Sequence, residues 1–91
     1  MVKRLFITVK GRVQGVGFRA YTVNSALKYG ITGYCANLEN GCVFIDAQGE
    51  EHNINMFLSD VKKGPKFSIV DDVILESQET LADYSDFNIR Y

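Results

Sequence analysis

The chain has 91 residues, which leaves room for one hydrophobic core and a single domain spanning residues 1–91. Its formal net charge of −1 provides no surplus of Lys and Arg for a nucleic-acid backbone or an anionic membrane, and no window approaches the roughly 20 apolar residues that cross a bilayer. We therefore predict a soluble monomer without nucleic-acid or membrane partners, in which any anion site is built locally.

A strand and a helix are predicted first. Residues 4–10 alternate polar and apolar side chains with the two-residue period of a strand that buries one face. After a glycine-rich loop, Ala20, Val23 and Leu27 recur at the spacing of a helix, and Gly30 is placed to end it in the left-handed conformation.

A hairpin follows this helix. Residues 31–38 and 42–48 predict two antiparallel strands, because Asn40-Gly41 between them offers the positive φ values that a tight turn demands. Cys35 and Cys42 match no metal or redox spacing, which predicts apolar strand residues in a reducing cytoplasm. A disulfide across the hairpin is the alternative.

The second helix has the clearest pattern. Its apolar residues share one stripe, formed by Ile54, Phe57, Leu58 and Val61. Glutamates at 50–51 and lysines at 62–63 complement the helix dipole, and Gly64-Pro65 ends the helix. Residues 69–76 and 87–91 predict two more strands, joined by a polar stretch.

This order of elements predicts an α+β fold, a ferredoxin-like βαββαβ sandwich with an antiparallel sheet, both helices on one face and a short extra strand. A right-handed strand-helix-strand crossover makes the first two strands parallel, so the loop after the first and the end of the second share one edge of the sheet. We therefore expect the loop from Gln14 to Arg19 to lie beside Asn37.

The loop at residues 11–19 leads into a helix N-terminus, where free N–H groups and the helix dipole favour an anion. Arg19 in the first turn opposes that dipole at a cost of roughly 0.3 to 1 kcal/mol, which a bound phosphate would offset. An ordinary glycine turn with a surface arginine is one alternative. A dinucleotide fingerprint is disfavoured by the antiparallel return through the hairpin, and a Walker loop by the lack of Gly-Lys-Ser/Thr.

Two motifs resemble those of the acylphosphatase family. Residues 11–19 match Gly-x-Val-Gln-Gly-Val-x-Phe-Arg, and residues 33–37, followed by Gly41, Val43 and Gly49, match the second motif. The resemblance covers essentially the whole chain. It implies an enzyme that hydrolyses acyl phosphates to a carboxylate and inorganic phosphate without a metal or other cofactor.

The resemblance also implies a role for each site residue. Arg19 and Asn37 are the implied catalytic residues, Arg19 binding the phosphoryl group and Asn37 orienting the attacking water. The implied substrate-binding residues, acting mainly through backbone amides, are Gln14, Gly15, Val16, Gly17, Phe18 and Arg19. Ala36 stands where the family often has a basic residue, and Glu39-Asn40 where an acidic residue often precedes the glycine, so rate and substrate preference are in question.

Acyl phosphate hydrolysis fits a chain with few acid–base candidates. The leaving carboxylate has a conjugate acid with a pKa of about 4, so no proton donor is needed. His52 is interpreted as a surface residue, and capping of the hairpin is the alternative for Asn37. An acidic stretch is interpreted as a solvated strand face, formed by Asp71, Asp72, Glu76 and Glu79.

Two other functions stay open. RNA-recognition domains share this order of elements, although residues 42–46 hold one aromatic and one acid in place of a basic aromatic motif. A carbamoyl phosphate domain like that of hydrogenase maturation proteins is the other, although those domains lie within much longer chains.

Overall fold

The computed structural model describes residues 1–80 and 83–91, which form a five-stranded sheet and two helices. The strands are β1 (Val2–Arg12), β2 (Thr32–Asn37), β3 (Val43–Glu50), β4 (Ile69–Gln78) and β5 (Phe87–Arg90); the helices are α1 (Phe18–Tyr29) and α2 (Glu51–Lys63). Every predicted element is present in the predicted order. The polar stretch before β5 includes residues 81–82, which lie outside the described residues.

The strand order β4-β1-β3-β2-β5 confirms the ferredoxin-like fold. β1 pairs antiparallel with β3 and β4, and β3 pairs antiparallel with β2. β1 and β2 therefore run in the same direction, and their C-terminal ends share one edge. The short extra strand β5 pairs parallel with β2, so the sheet is mixed rather than wholly antiparallel.

The core lies between one face of the sheet and the two helices. Ile7 of β1 pairs with Ile45 of β3, which pairs in turn with Cys35 of β2, and all three side chains are fully buried. The predicted stripe of α2 packs against them and is buried throughout. Each large apolar side chain removed from water in this way contributes about 1.5 to 3 kcal/mol.

The predicted apolar stripe of α1 is wrong at two of its three positions, because only Val23 packs against the core. Leu27 is 67% exposed, and Ala20 is exposed as well. The buried face instead begins at Phe18 and continues through small residues, Thr22, Ser25 and Ala26. Their hydroxyl groups are satisfied within the fold, since Thr22 donates to the Phe18 carbonyl and Ser25 to the Asp60 carboxylate of α2, each at 2.8 Å. Because these side chains are short and hydrogen-bonded, α2 can pack closely against α1. A pattern that considers only apolar residues does not detect this face.

The β2–β3 turn also differs from the expected form. Gly41 adopts φ 91°, but no residue other than glycine has a positive φ in the described parts of the chain, so Asn40 does not. The Gly41 amide donates to the Leu38 carbonyl at 3.2 Å, and the Asn40 side chain accepts from the Cys42 amide at 3.1 Å. This is a three-residue loop closed by a glycine rather than a two-residue turn. Cys35 and Cys42 are both free and buried.

Candidate active site

A cavity of about 220 Å³ lies at the edge of the sheet where β1 and β2 end and α1 begins. Its lining residues are Val13, Gly15, Gly17, Phe18, Arg19, Ala20, Asn37, Ile89 and Tyr91. The cavity thus brings Arg19 and Asn37 together although 17 intervening positions separate them in the chain. The shared edge follows from the parallel directions of β1 and β2.

The loop presents its backbone donors to this cavity. Gly17 caps α1 at φ 79° and ψ 18°, and Gly15 adopts φ 73°, conformations that side chains rarely tolerate. The first amide with a partner inside the helix belongs to Tyr21, which donates to the Gly17 carbonyl at 3.0 Å. The amides of residues 14–20 donate to no residue that the structure describes. Free N–H groups at the positive end of a helix dipole form a site for an anion.

Arg19 adds a cation with unused donors. Its guanidinium makes no ion pair or side-chain hydrogen bond within residues 1–80 and 83–91, and no acidic residue stands in the first turn of α1. Arg19 Cζ lies over the Tyr91 ring, 5.1 Å from the ring centroid. A cation–π contact uses none of the guanidinium N–H groups as a hydrogen-bond donor to oxygen, so these groups stay available for a phosphate.

Asn37 ends β2 at the rim of the cavity. It is exposed, it pairs with Val43 of β3, and its carboxamide has no hydrogen-bond partner in the described part of the chain. The hairpin-capping interpretation of Asn37 is wrong, because Asn40 caps that turn. The Asn37 carboxamide is therefore free to hold a water molecule beside the loop.

The side chains of two predicted binding residues point elsewhere. Gln14 donates from Nε2 to the carbonyls of Leu38 at 2.8 Å and Cys42 at 2.9 Å, which ties the loop to the β2–β3 turn. Val16 packs against the hydrophobic core. Only the backbone amides of Gln14 and Val16 can contribute to the anion site.

Residues that the sequence analysis did not assign to the site complete the cavity wall. Val13 belongs to the first motif and Ala20 directly follows it, so both could have been assigned to the site from their positions in the sequence. Ile89 and Tyr91 reach the cavity because β5 lies parallel beside β2. No local pattern indicates that pairing.

Cys35 lies beneath the arginine on the inner face of β2. Its Sγ is 3.8 Å from the Arg19 carbonyl oxygen. Burial raises the pKa of the Cys35 thiol to about 11, and the nearby Arg19 cation opposes that rise. The thiol is therefore neutral at physiological pH and places no charge beneath Arg19.

Other candidate residues lie away from the cavity. His52 is exposed near the start of α2, and the acidic stretch, which lies on β4 except for Glu79 directly after it, is exposed as predicted. Within the described residues no group of three or more His, Cys, Asp or Glu side chains is placed to hold a metal ion. None of the described helices has the length and apolar character needed to cross a membrane.

Comparison with known proteins gives one consistent family. The acylphosphatase family model matches residues 5–89. A Clostridium acetobutylicum protein named acylphosphatase is 44% identical over 91 residues, with both chains fully covered. The crystal structure of acylphosphatase from Bacillus subtilis has a TM-score of 0.94 at 37% identity, again with full coverage of both chains. A full-length HypF in a phosphate- and nucleotide-bound form has a TM-score of 0.88 at 31% identity, but this chain covers only 12% of it.

Proposed function

Because this chain belongs to the acylphosphatase family, we propose that its cavity hydrolyses acyl phosphates to a carboxylate and inorganic phosphate without a metal ion. The observation that carries the proposal is the set of unpaired donors around one cavity: the loop amides, the Arg19 guanidinium and the Asn37 carboxamide. Phosphoryl transfer requires positioning and charge stabilisation more than covalent chemistry, and these groups supply both.

The phosphoryl group occupies the loop in this proposal. Amides from Gln14 to Arg19 donate to its oxygens, and Arg19 contributes two in-plane N–H groups. Contacts of this charge-assisted kind contribute on the order of 1.5 to 3 kcal/mol each. The bound dianion in turn offsets the unfavourable position of Arg19 at the positive end of α1.

Asn37 orients the attacking water. Its carboxamide oxygen accepts a hydrogen bond from that water, whose oxygen forms a bond to phosphorus as the bond from phosphorus to the carboxylate oxygen breaks. The water proton passes to solvent or phosphate. The carboxylate leaves unprotonated, because its conjugate acid has a pKa of about 4, so neither a general acid nor a metal ion is required.

Two substitutions test this division of labour. Asn37→Ala should lower kcat for acetyl phosphate by about 100-fold or more and change competitive inhibition by inorganic phosphate less than about twofold. Arg19→Ala should weaken phosphate inhibition by about 10-fold or more, and Arg19→Lys should recover only part of it, since a lysine lacks the planar fork.

Asn24→Ala is the matched control, because Asn24 is an exposed asparagine on α1 outside the cavity lining. The assays are run with and without EDTA. Equal loss of phosphate binding in the Asn37 and Arg19 variants would contradict the proposed roles. Activity that EDTA abolishes would contradict the metal-independent mechanism.

A further inference from the structure

The side-chain charges divide between the two ends of the molecule. The site end is defined as the end where β1, β2 and β5 finish, α1 begins and α2 finishes; the far end is the opposite one. Arg19 at the site end is joined by six exposed cations: Lys10, Arg12, Lys62, Lys63, Lys66 and Arg90. The acids there are Glu39, Asp60, Asp71 and Asp72. Seven cations against four acids leave a surplus of three positive charges.

The far end has the opposite balance. Its cations are Lys3 and Lys28, while its acids are Glu50, Glu51, Glu76, Glu79, Asp83 and Asp86. Arg4 and Asp46 form an ion pair at 2.8 Å and cancel. Counted over side chains, the far end thus has a surplus of four negative charges, although the whole chain has a formal net charge of only −1; one of these acids, Glu50, also pairs with the Met1 ammonium at 2.9 Å.

The segment that carries three of the site-end lysines runs beside Phe18, a residue that lines the cavity. A methyl group added at Gly64, directly after α2, would lie 3.2 Å from the Phe18 ring that opens α1. Lys62 and Lys63 precede that glycine, and Lys66 follows it. None of the three lines the cavity, so their charges can reach a ligand there only through their electric field.

We infer that the site end selects substrates by charge, favouring acyl phosphates whose acyl group has a carboxylate or phosphate of its own. This inference rests on the proposed hydrolysis of acyl phosphates. Each added negative charge increases the attraction toward a cationic end and the repulsion from an anionic one, and such fields raise the local concentration of an anionic substrate. Screening limits the effect, because the Debye length falls from about 30 Å at 0.01 M salt to about 3 Å at 1 M.

The test compares two double variants with the same net charge. Lys62→Gln/Lys63→Gln removes two cations from the site end, and Lys3→Gln/Lys28→Gln removes two from the far end. All four lysines lie outside the cavity lining. For each protein, kcat and KM are measured with acetyl phosphate, and with succinyl phosphate, which has one more negative charge. Ionic strengths of about 10 mM and about 1 M bracket the screening range. Thermal unfolding shows that the variants are folded.

At low ionic strength the site-end variant should lose about threefold in kcat/KM for acetyl phosphate and about fivefold for succinyl phosphate, through KM with kcat unchanged. The far-end variant should stay within about 1.5-fold of the wild type, and all differences should vanish near 1 M salt. Equal effects of the two variants, equal effects on the two substrates, or effects that persist at 1 M salt would overturn the inference. Folded wild-type protein that hydrolyses neither substrate would instead overturn the proposed function, and this inference with it.

Discussion

Two arginines of this protein have similar aromatic neighbours and opposite polar surroundings. Arg4 lies 5.0 Å from the ring centroid of Phe6, and Arg19 lies 5.1 Å from that of Tyr91. Arg4 donates through Nε and Nη2 to both carboxylate oxygens of Asp46, at 2.9 and 2.8 Å. Arg19 has no polar side-chain partner in the described part of the chain.

The hydrogen-bonding groups around Arg4 and Asp46 are paired with one another. The Asp46 carboxylate is almost fully buried, and it also accepts a hydrogen bond from the Tyr84 hydroxyl. Arg4 donates through Nη1 to the Glu79 carbonyl at 3.1 Å. Buried polar groups that are fully paired hold a structure together, whereas preorganised donors left unpaired at a cavity are available to a ligand. We therefore expect Arg4 to stabilise the fold and Arg19 to bind the substrate.

The largest expected difference between the two arginines is in their effect on stability. Arg4→Leu should lower the free energy of unfolding by about 3 to 5 kcal/mol, because it leaves the buried Asp46 carboxylate without its cation. Arg19→Leu should leave stability within about 1 kcal/mol of the wild type or slightly above it, because a cation leaves the N-terminus of α1. Urea unfolding measures both. A larger loss of stability for Arg19→Leu than for Arg4→Leu would reverse the assignment.

The next largest expected effect is on the pH dependence of stability, and it comes from the Cys35 thiol beneath Arg19. The Cys35 pKa of about 11 in the folded protein compares with an ordinary value of 9.0. The folded state therefore binds the proton more tightly, and this contribution to stability is complete below pH 9 and is lost as pH rises to about 11. The stability of the wild type relative to Cys35→Ala should fall by roughly 2 to 3 kcal/mol across that interval. A difference that stays constant in urea titrations at several pH values would contradict the burial of the Cys35 thiol beneath Arg19.

A smaller effect separates the two tyrosines. Tyr84→Phe should lower the free energy of unfolding by about 1 to 2 kcal/mol, because Asp46 loses a buried hydrogen bond. Tyr91→Phe is the matched change beside Arg19 and should be neutral, since Tyr91 contacts the arginine through its ring and is exposed. Thermal unfolding of the two variants in parallel distinguishes them; equal losses would mean that both hydroxyl groups are structural.

The smallest effect concerns the position of Arg19. Tyr91→Leu removes the ring that the guanidinium lies over, and kcat/KM should fall by about three- to tenfold, equivalent to roughly 1 kcal/mol of cation–π stabilisation. Tyr91→Phe should retain wild-type kinetics. If the Leu and Phe variants had the same kcat/KM, the ring would have no part in positioning Arg19.

Local patterns in the sequence predicted the parts of the fold that local chemistry determines. The stripe of α2, the glycine that ends α1 and the shared edge of β1 and β2 were all predicted correctly. The inner face of α1 was not predicted, because it consists largely of small polar residues: Thr22 bonds back to the Phe18 carbonyl within the helix, and Ser25 finds its partner, Asp60, on α2. The same holds for β5, whose pairing with β2 depends on a long-range contact.

The candidate site divides in the same way. Its loop and both proposed catalytic residues could be named from motifs. The side chain of Gln14, by contrast, reaches carbonyls on either side of the β2–β3 turn, and Tyr91 reaches Arg19 from the position directly after β5. Neither contact has a signal in the spacing of residues.

Titration of the protein with inorganic phosphate, followed by NMR of backbone amides and arginine Nε–H groups, tests the central claim most directly. We predict the largest shifts at the amides of residues 14–20 and at Arg19 Nε, with Arg4 Nε unchanged because Asp46 already occupies it. Shifts centred on Arg4 and Tyr84, or a loop that does not respond to phosphate in folded protein, would contradict the assignment of the unpaired donors to the substrate.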